Sequence, residues 1–219
     1  MELYHLINRG VDGRDIFIDS QDYARFVHDL FEFNDTSPAV PFERATNVGR
    51  RTSNIRKQLI AIHGWTLMRN HFHLLVSELQ KGGLVLFLRK LSGYARYFND
   101  RHERKGALFQ SRTKKVLIDQ SGHFLYILHY LHLNPLDYLH GAEGWRERDK
   151  GSIRNVNAAL AYLKKYRWSS YLDYCGQRNF PSLLTTGLFK DVFGNYEHAI
   201  REYLEDREGF ILDKAGPLE

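Results

Sequence analysis

Two histidines separated by one bulky apolar residue stand in a run of strand-forming side chains, Trp65-Thr66-Leu67-Met68-Arg69-Asn70-His71-Phe72-His73-Leu74-Leu75-Val76. Side chains on a strand alternate faces, so His71 and His73 are expected on one side while Phe72, Leu74 and Val76 enter a core. Two neutral imidazoles on one rigid face make half of a metal site, since neutral histidine is the commonest side-chain ligand. Two ligands do not hold a catalytic ion, and a third donor is needed. About sixty residues on, Tyr130-Leu131-His132-Leu133-Asn134-Pro135 reads as the end of a helix, with Tyr130 and Asn134 four residues apart on one face. Asn134 is open to two readings, a third ligand or an ordinary helix end before proline. His129 and His132 fall on other faces of that helix and read as surface or structural histidines unless Asn134 is not the third ligand.

The elements that must position these groups follow from periodicity. Leu3 to Asn8 reads as a strand, closed by turn residues Asn8, Gly10, Asp12 and Gly13. Ser20 can cap a helix with Tyr23, Phe26, Val27, Leu30 and Phe31 on its apolar side. From Asn34 to Arg56 the periodicity breaks around Pro38 and Pro41, and the basic residues Arg44, Arg50, Arg51, Arg56 and Lys57 suggest an exposed loop. Gln58 to Met68 is a strand interrupted at His63-Gly64, expected to pair with the histidine strand as a hairpin through Arg69-Asn70. One helix is predicted from about Leu84 to Arg101, a strand over Ala107 to Asp119, and a helix built on Phe124, Ile127, Leu128 and Leu131 that must stop by Asn134 because of Pro135. This order is the α+β, ferredoxin-like split βαβ plan with an antiparallel sheet and one added helix. We expect residues 1–140 to form this core and 141–219 a helical C-terminal extension, with helices at Ala158 to Tyr166, Leu183 to Phe193 and Asn195 to Asp206.

Composition narrows the function without deciding it. The 219 residues are 43% apolar and 14% aromatic, enough for a well-filled core. A formal charge of +5 is compatible with a polyanionic partner. Cys175 is the single cysteine, which excludes an intramolecular disulfide and a thiolate zinc cluster and makes a reducing cytosol the natural compartment. No apolar run approaches the roughly 20 residues of a membrane span, so no membrane role is expected. The chain has no Gly-rich phosphate loop, so no nucleotide cofactor is expected either.

The histidine strand followed by Tyr130-x-x-x-Asn134-Pro135 resembles the IS200-like single-tyrosine (HUH) transposases, and within them the REP-associated tyrosine transposases. The resemblance runs from Tyr4-His5-Leu6-Ile7-Asn8-Arg9-Gly10 through the histidine strand and Gly106-Ala107-Leu108-Phe109-Gln110-Ser111-Arg112-Thr113-Lys114 to the Tyr130 motif, and ends near Trp168-Ser169-Ser170-Tyr171. It implies a ferredoxin-like catalytic core with Tyr130 as nucleophile; Tyr126, one turn earlier on about the same face, is the rival by position, and the spacing to Asn134-Pro135 decides for Tyr130. The resemblance further implies Mg²⁺ or Mn²⁺ held by His71, His73 and Asn134, and a 5′-phosphotyrosine intermediate formed on single-stranded DNA with hairpin or palindromic ends. The neutral ligand set suits such an ion better than structural zinc. Arg112, Lys114 and Lys115, alternating along a strand, and Arg9 in the turn after the first strand are expected to contact phosphates, with Lys115 open to a second reading as a solvated charge. The chain departs from the family at Arg69, where proline usually stands. Its stretches 34–56 and 141–157 are long, and no second tyrosine motif is present. A monomer or homodimer is expected. A hairpin-binding protein that no longer cuts, and a rolling-circle type nuclease using the same chemistry, are the competing expectations.

Overall fold

Alternation of apolar side chains along three strands decides how the sheet is covered. In the computed structural model, which describes residues 1–38, 56–146 and 153–205, β1 (Leu3–Arg9), β2 (Ile60–Met68), β3 (His71–Glu78) and β4 (Lys114–Leu117) form one sheet in the order β2-β3-β1-β4, every neighbouring pair antiparallel. With α1 (Ser20–Glu32) between β1 and β2, and α2 (Gly83–Leu91) and α3 (Tyr94–Arg101) between β3 and β4, this is the expected ferredoxin-like order. The stretch 39–55, where most of the basic loop is expected, lies outside the described residues, as do 147–152 and 206–219.

One face of the sheet presents Leu6, Ile62, Trp65, Leu67, Phe72, Leu74 and Val76, which pack with Phe26, Leu30, Phe87, Tyr94 and Phe98 of α1 to α3. The other face presents Leu3 and Leu75 to a second core built on α4 (Ser121–Leu133), which supplies Ile127, Leu128 and Leu131. His5, His71 and His73 share the strand parity of Leu3 and Leu75 and therefore face α4. That second core continues through Trp145, Leu160 and Leu163 of α5 (Val156–Lys165), Tyr171 and Tyr174 of α6 (Tyr171–Tyr174), Phe189 of α7 (Gly187–Phe193), and Tyr196 and Ile200 of α8 (Tyr196–Glu205).

Four details differ from the sequence reading. Asp19, not Ser20, caps α1, its carboxylate accepting from the backbone N–H of Gln21 at 2.9 Å and Asp22 at 3.2 Å. The single helix expected over Leu84 to Arg101 is broken at Ser92-Gly93 into α2 and α3, a serine-glycine pair being a common site of such breaks. Of the expected strand 107–119, Lys114–Leu117 joins the sheet as β4 and Phe109 makes an isolated antiparallel bridge to Gly10. The residues just before β4 are instead pinned by Asn8, whose Nδ2 donates to the Ser111 carbonyl and to Thr113 Oγ1, both at 3.2 Å. Leu183 lies in a short 3-10 turn, Pro181–Leu183, ahead of α7.

α4 ends as Pro135 requires, and the chain tightens into a 3-10 turn over Asn134–Tyr138. Pro135 has no N–H to give the Leu131 carbonyl four residues back. Thr66 Oγ1 on β2 donates to that carbonyl at 2.8 Å instead, tying the helix end to the sheet. The Trp168-Ser169-Ser170 segment lies along the outer edge of β2, with Leu67 N–H donating to the Trp168 carbonyl and Ser170 N–H to the Trp65 carbonyl, both at 2.9 Å. This segment covers one of the two sheet edges.

Candidate active site

The pleat and the α4 register bring His71, His73 and Tyr130 together between the sheet and the helix. The imidazoles of His71 and His73 stand edge to face with centroids 4.8 Å apart, and the Tyr130 ring meets His73 edge to face at 5.6 Å. His73 is fully buried and Tyr130 is 5% exposed. Among the described residues His73 Nε2 has no hydrogen-bond partner. Its Nδ1 lies 2.9 Å from Nε2 of His5, a third imidazole that meets it edge to edge from β1. His71 Nδ1 is 2.6 Å from Asn70 Oδ1, and since an amide oxygen only accepts, the proton sits on Nδ1 and the lone pair on Nε2.

Burial holds the His73 imidazole well below the usual histidine range, and His71, His5, Arg146 and Arg9 push in the same direction. It therefore stays neutral, the form that ligates a metal. Two imidazoles with Nδ1 engaged fit half of a divalent cation site. Asn134 is also fully buried on this face, but both ends of its amide are in use. Nδ2 donates to the Tyr130 carbonyl at 2.7 Å, and Oδ1 accepts from Arg146 Nη2 at 2.7 Å. Among the described residues no group of three His, Cys, Asp or Glu side chains converges on a metal position.

Arg146 had no signal in the sequence, standing in a polar stretch without periodicity. A 3-10 turn over Glu143–Arg146 carries it back over α4. Its guanidinium donates to Asp137 as well as to Asn134, lies 5.8 Å from the Tyr130 ring centroid and interacts with the Tyr130 hydroxyl. Burial alone would lower its pKa, yet the hydrogen-bonded Asp137 carboxylate keeps it above the usual arginine value, so the charge is permanent. His5 did carry a signal. It sits between Leu3 and Ile7 on the α4-facing side of a central strand, the same anomaly that marked the histidine pair.

The expected cations separate. Arg9 is exposed and registers opposite His71, and Lys114 is exposed opposite Ile7, which itself registers with His73. Arg112 is exposed in the bend before β4 and not on a strand. Lys115 registers opposite Leu6 on the other face, with its ammonium 4.2 Å from the Tyr4 ring centroid. Tyr126, the rival tyrosine, packs toward Tyr203, and burial raises its phenol above the usual range. His132 bonds Tyr196 through Nδ1 at 2.8 Å and Ser170 through Nε2 at 2.7 Å, while His129 bonds Tyr196 at 3.2 Å. Both are structural.

Sheet order and helix placement define an α+β ferredoxin-like protein with an added helix on the second face. In comparison with solved structures, the chain is similar to a REP-associated tyrosine transposase bound to a REP hairpin, at 12% identity over 84% of each chain with a TM-score of 0.47. No protein family and no curated protein matches the chain.

Proposed function

We propose that this protein cleaves and rejoins single-stranded DNA at hairpin or palindromic ends through a covalent bond to Tyr130. The observation that carries the reading is the fully buried His73, its Nε2 lacking a partner among the described residues, set against the ring of Tyr130. A divalent cation, Mg²⁺ or Mn²⁺, held by His71, His73 and Asn134 would polarise the scissile phosphate. The Tyr130 oxygen loses its proton and forms a bond to phosphorus, the bond from phosphorus to the 3′ oxygen breaks, and that oxygen takes up a proton. The phosphotyrosine keeps the energy of the phosphodiester, so the 3′-hydroxyl of a second strand can displace Tyr130 without a nucleotide cofactor. Arg146 places a permanent positive charge beside the phenol, where it stabilises the phenolate as it forms. Arg9, Arg112 and Lys114 supply exposed positive charge for the backbone of the strand.

A second reading, a hairpin-binding protein that does not cut, is favoured by one observation. Asn134 Oδ1, the expected third ligand, already accepts from Arg146. Incubating the protein with single-stranded hairpins from the flanks of its own gene, with and without Mn²⁺, separates the two. The cleaving enzyme gives a denaturation-resistant protein–DNA adduct that needs the metal and vanishes in His73→Ala. Hairpin binding with no adduct under either condition selects the binding protein.

A further inference from the structure

His5 is as deeply buried as His73, yet neither the nucleophile nor the metal ligands include it. The two rings lie on adjacent strands in diagonal register, since β1 sets Ile7 and not His5 opposite His73. They meet edge to edge in nearly parallel planes, with centroids 5.1 Å apart and planes 13° apart, and His5 Nε2 approaches His73 Nδ1 to 2.9 Å. Tyr130 abuts both rings edge to face, at 6.0 Å for His5 and 5.6 Å for His73, which restrains their rotation.

A hydrogen bond between two neutral imidazoles has one proton and two possible owners. If His73 donates from Nδ1, its lone pair lies on Nε2. If His5 donates, His73 carries an N–H on Nε2 that is buried without an acceptor among the described residues. A buried N–H lacking an acceptor is the rarer and costlier arrangement. Two structural histidines look different, although His123, also buried, has neither ring nitrogen partnered among the described residues. His132 and His63 are buried with both ring nitrogens partnered, His63 by Ser77 Oγ at 2.9 Å and the Thr185 carbonyl at 3.0 Å. His71 shows the matching arrangement, its Nδ1 proton held by Asn70.

We infer that His5 is a positioning residue: its Nε2 accepts the Nδ1 proton of His73 and fixes the tautomer that leaves the His73 lone pair on Nε2. The inference rests on the reading of His73 as a ligand for its purpose, but its physical content is the tautomer of the metal-free protein. Two-bond ¹H–¹⁵N spectra of wild type without metal are expected to show His73 with the proton on Nδ1. His5→Phe keeps an aromatic ring and removes the acceptor. It is expected to shift His73 toward the Nε2–H form and to weaken Mn²⁺ binding, read by titration calorimetry, by about 10- to 100-fold. His5→Gln places an amide oxygen near the former Nε2 position and is expected to restore both, which a loss of packing would not do. A wild-type His73 protonated on Nε2, or a His5→Phe protein with unchanged tautomer and Mn²⁺ affinity, overturns the inference. If the tautomer is as expected and no DNA adduct forms, the inference stands and the cleavage reading fails by itself.

Discussion

Arg146 concentrates the chemistry of the site in one side chain. Its guanidinium spans Asn134, Asp137 and the Tyr130 hydroxyl, so it can act as a cation for the phenolate and as an occupant of the Asn134 oxygen. These roles predict opposite signs in Arg146→Gln. Loss of a positioned charge beside the forming phenolate should slow adduct formation by about 10²-fold, the usual scale for one preorganised group. Release of Asn134 should leave Mn²⁺ affinity equal to wild type or higher. Single-turnover adduct kinetics and Mn²⁺ titration on the same preparation check both. An adduct rate within experimental error of wild type would remove Arg146 from the reaction.

At the scale of elements, β4 separates two lysines that look equivalent in sequence. Lys114 shares the histidine face and Lys115 the opposite one, held over Tyr4. Lys114→Ala should therefore weaken hairpin binding and reduce the slope of log affinity against log salt by about 0.7, whereas Lys115→Ala should leave the slope unchanged. Equal slopes for the two variants would place the strand elsewhere. The sheet itself was legible because β1, β2 and β3 are long runs of strand-forming side chains bounded by turn residues, and Pro135 marks the end of α4 without ambiguity. What sequence could not show was set by side chains reaching across the fold. Asn8 bends residues 111–113 out of the expected strand, and Ser92-Gly93 splits a helix whose apolar stripe is continuous. Arg146 meets Asn134 across a turn with no local pattern, while His5 could have been read from its place on a core-facing strand position.

Across the whole molecule, α4 is clamped between the sheet and the C-terminal helices by a buried network of His129, His132, Ser170 and Tyr196. Burial holds His129 at about 3 and His132 well below the usual histidine range, and shifts His63 and His73 the same way. Below pH ~6.5 the unfolded chain protonates these rings while the folded chain does not. The unfolded state then binds more protons, so this stability is complete above pH ~6.5 and declines as pH falls toward ~3, by up to about 1.4 kcal/mol per pH unit for each ring. Urea midpoints should fall steadily from pH ~6.5 to ~5, above the range where ordinary carboxylates titrate. Level midpoints would contradict the neutral, buried network. The network fixes the helix that carries Tyr130, and the central claim is that this residue forms the covalent bond. Tyr130→Phe deletes one oxygen and keeps the ring against His5, His73 and Trp145, so hairpin affinity should persist while the Mn²⁺-dependent adduct disappears; Tyr126→Phe should form the adduct as wild type does. An adduct that survives Phe at position 130 and is lost with Phe at position 126 would contradict the account.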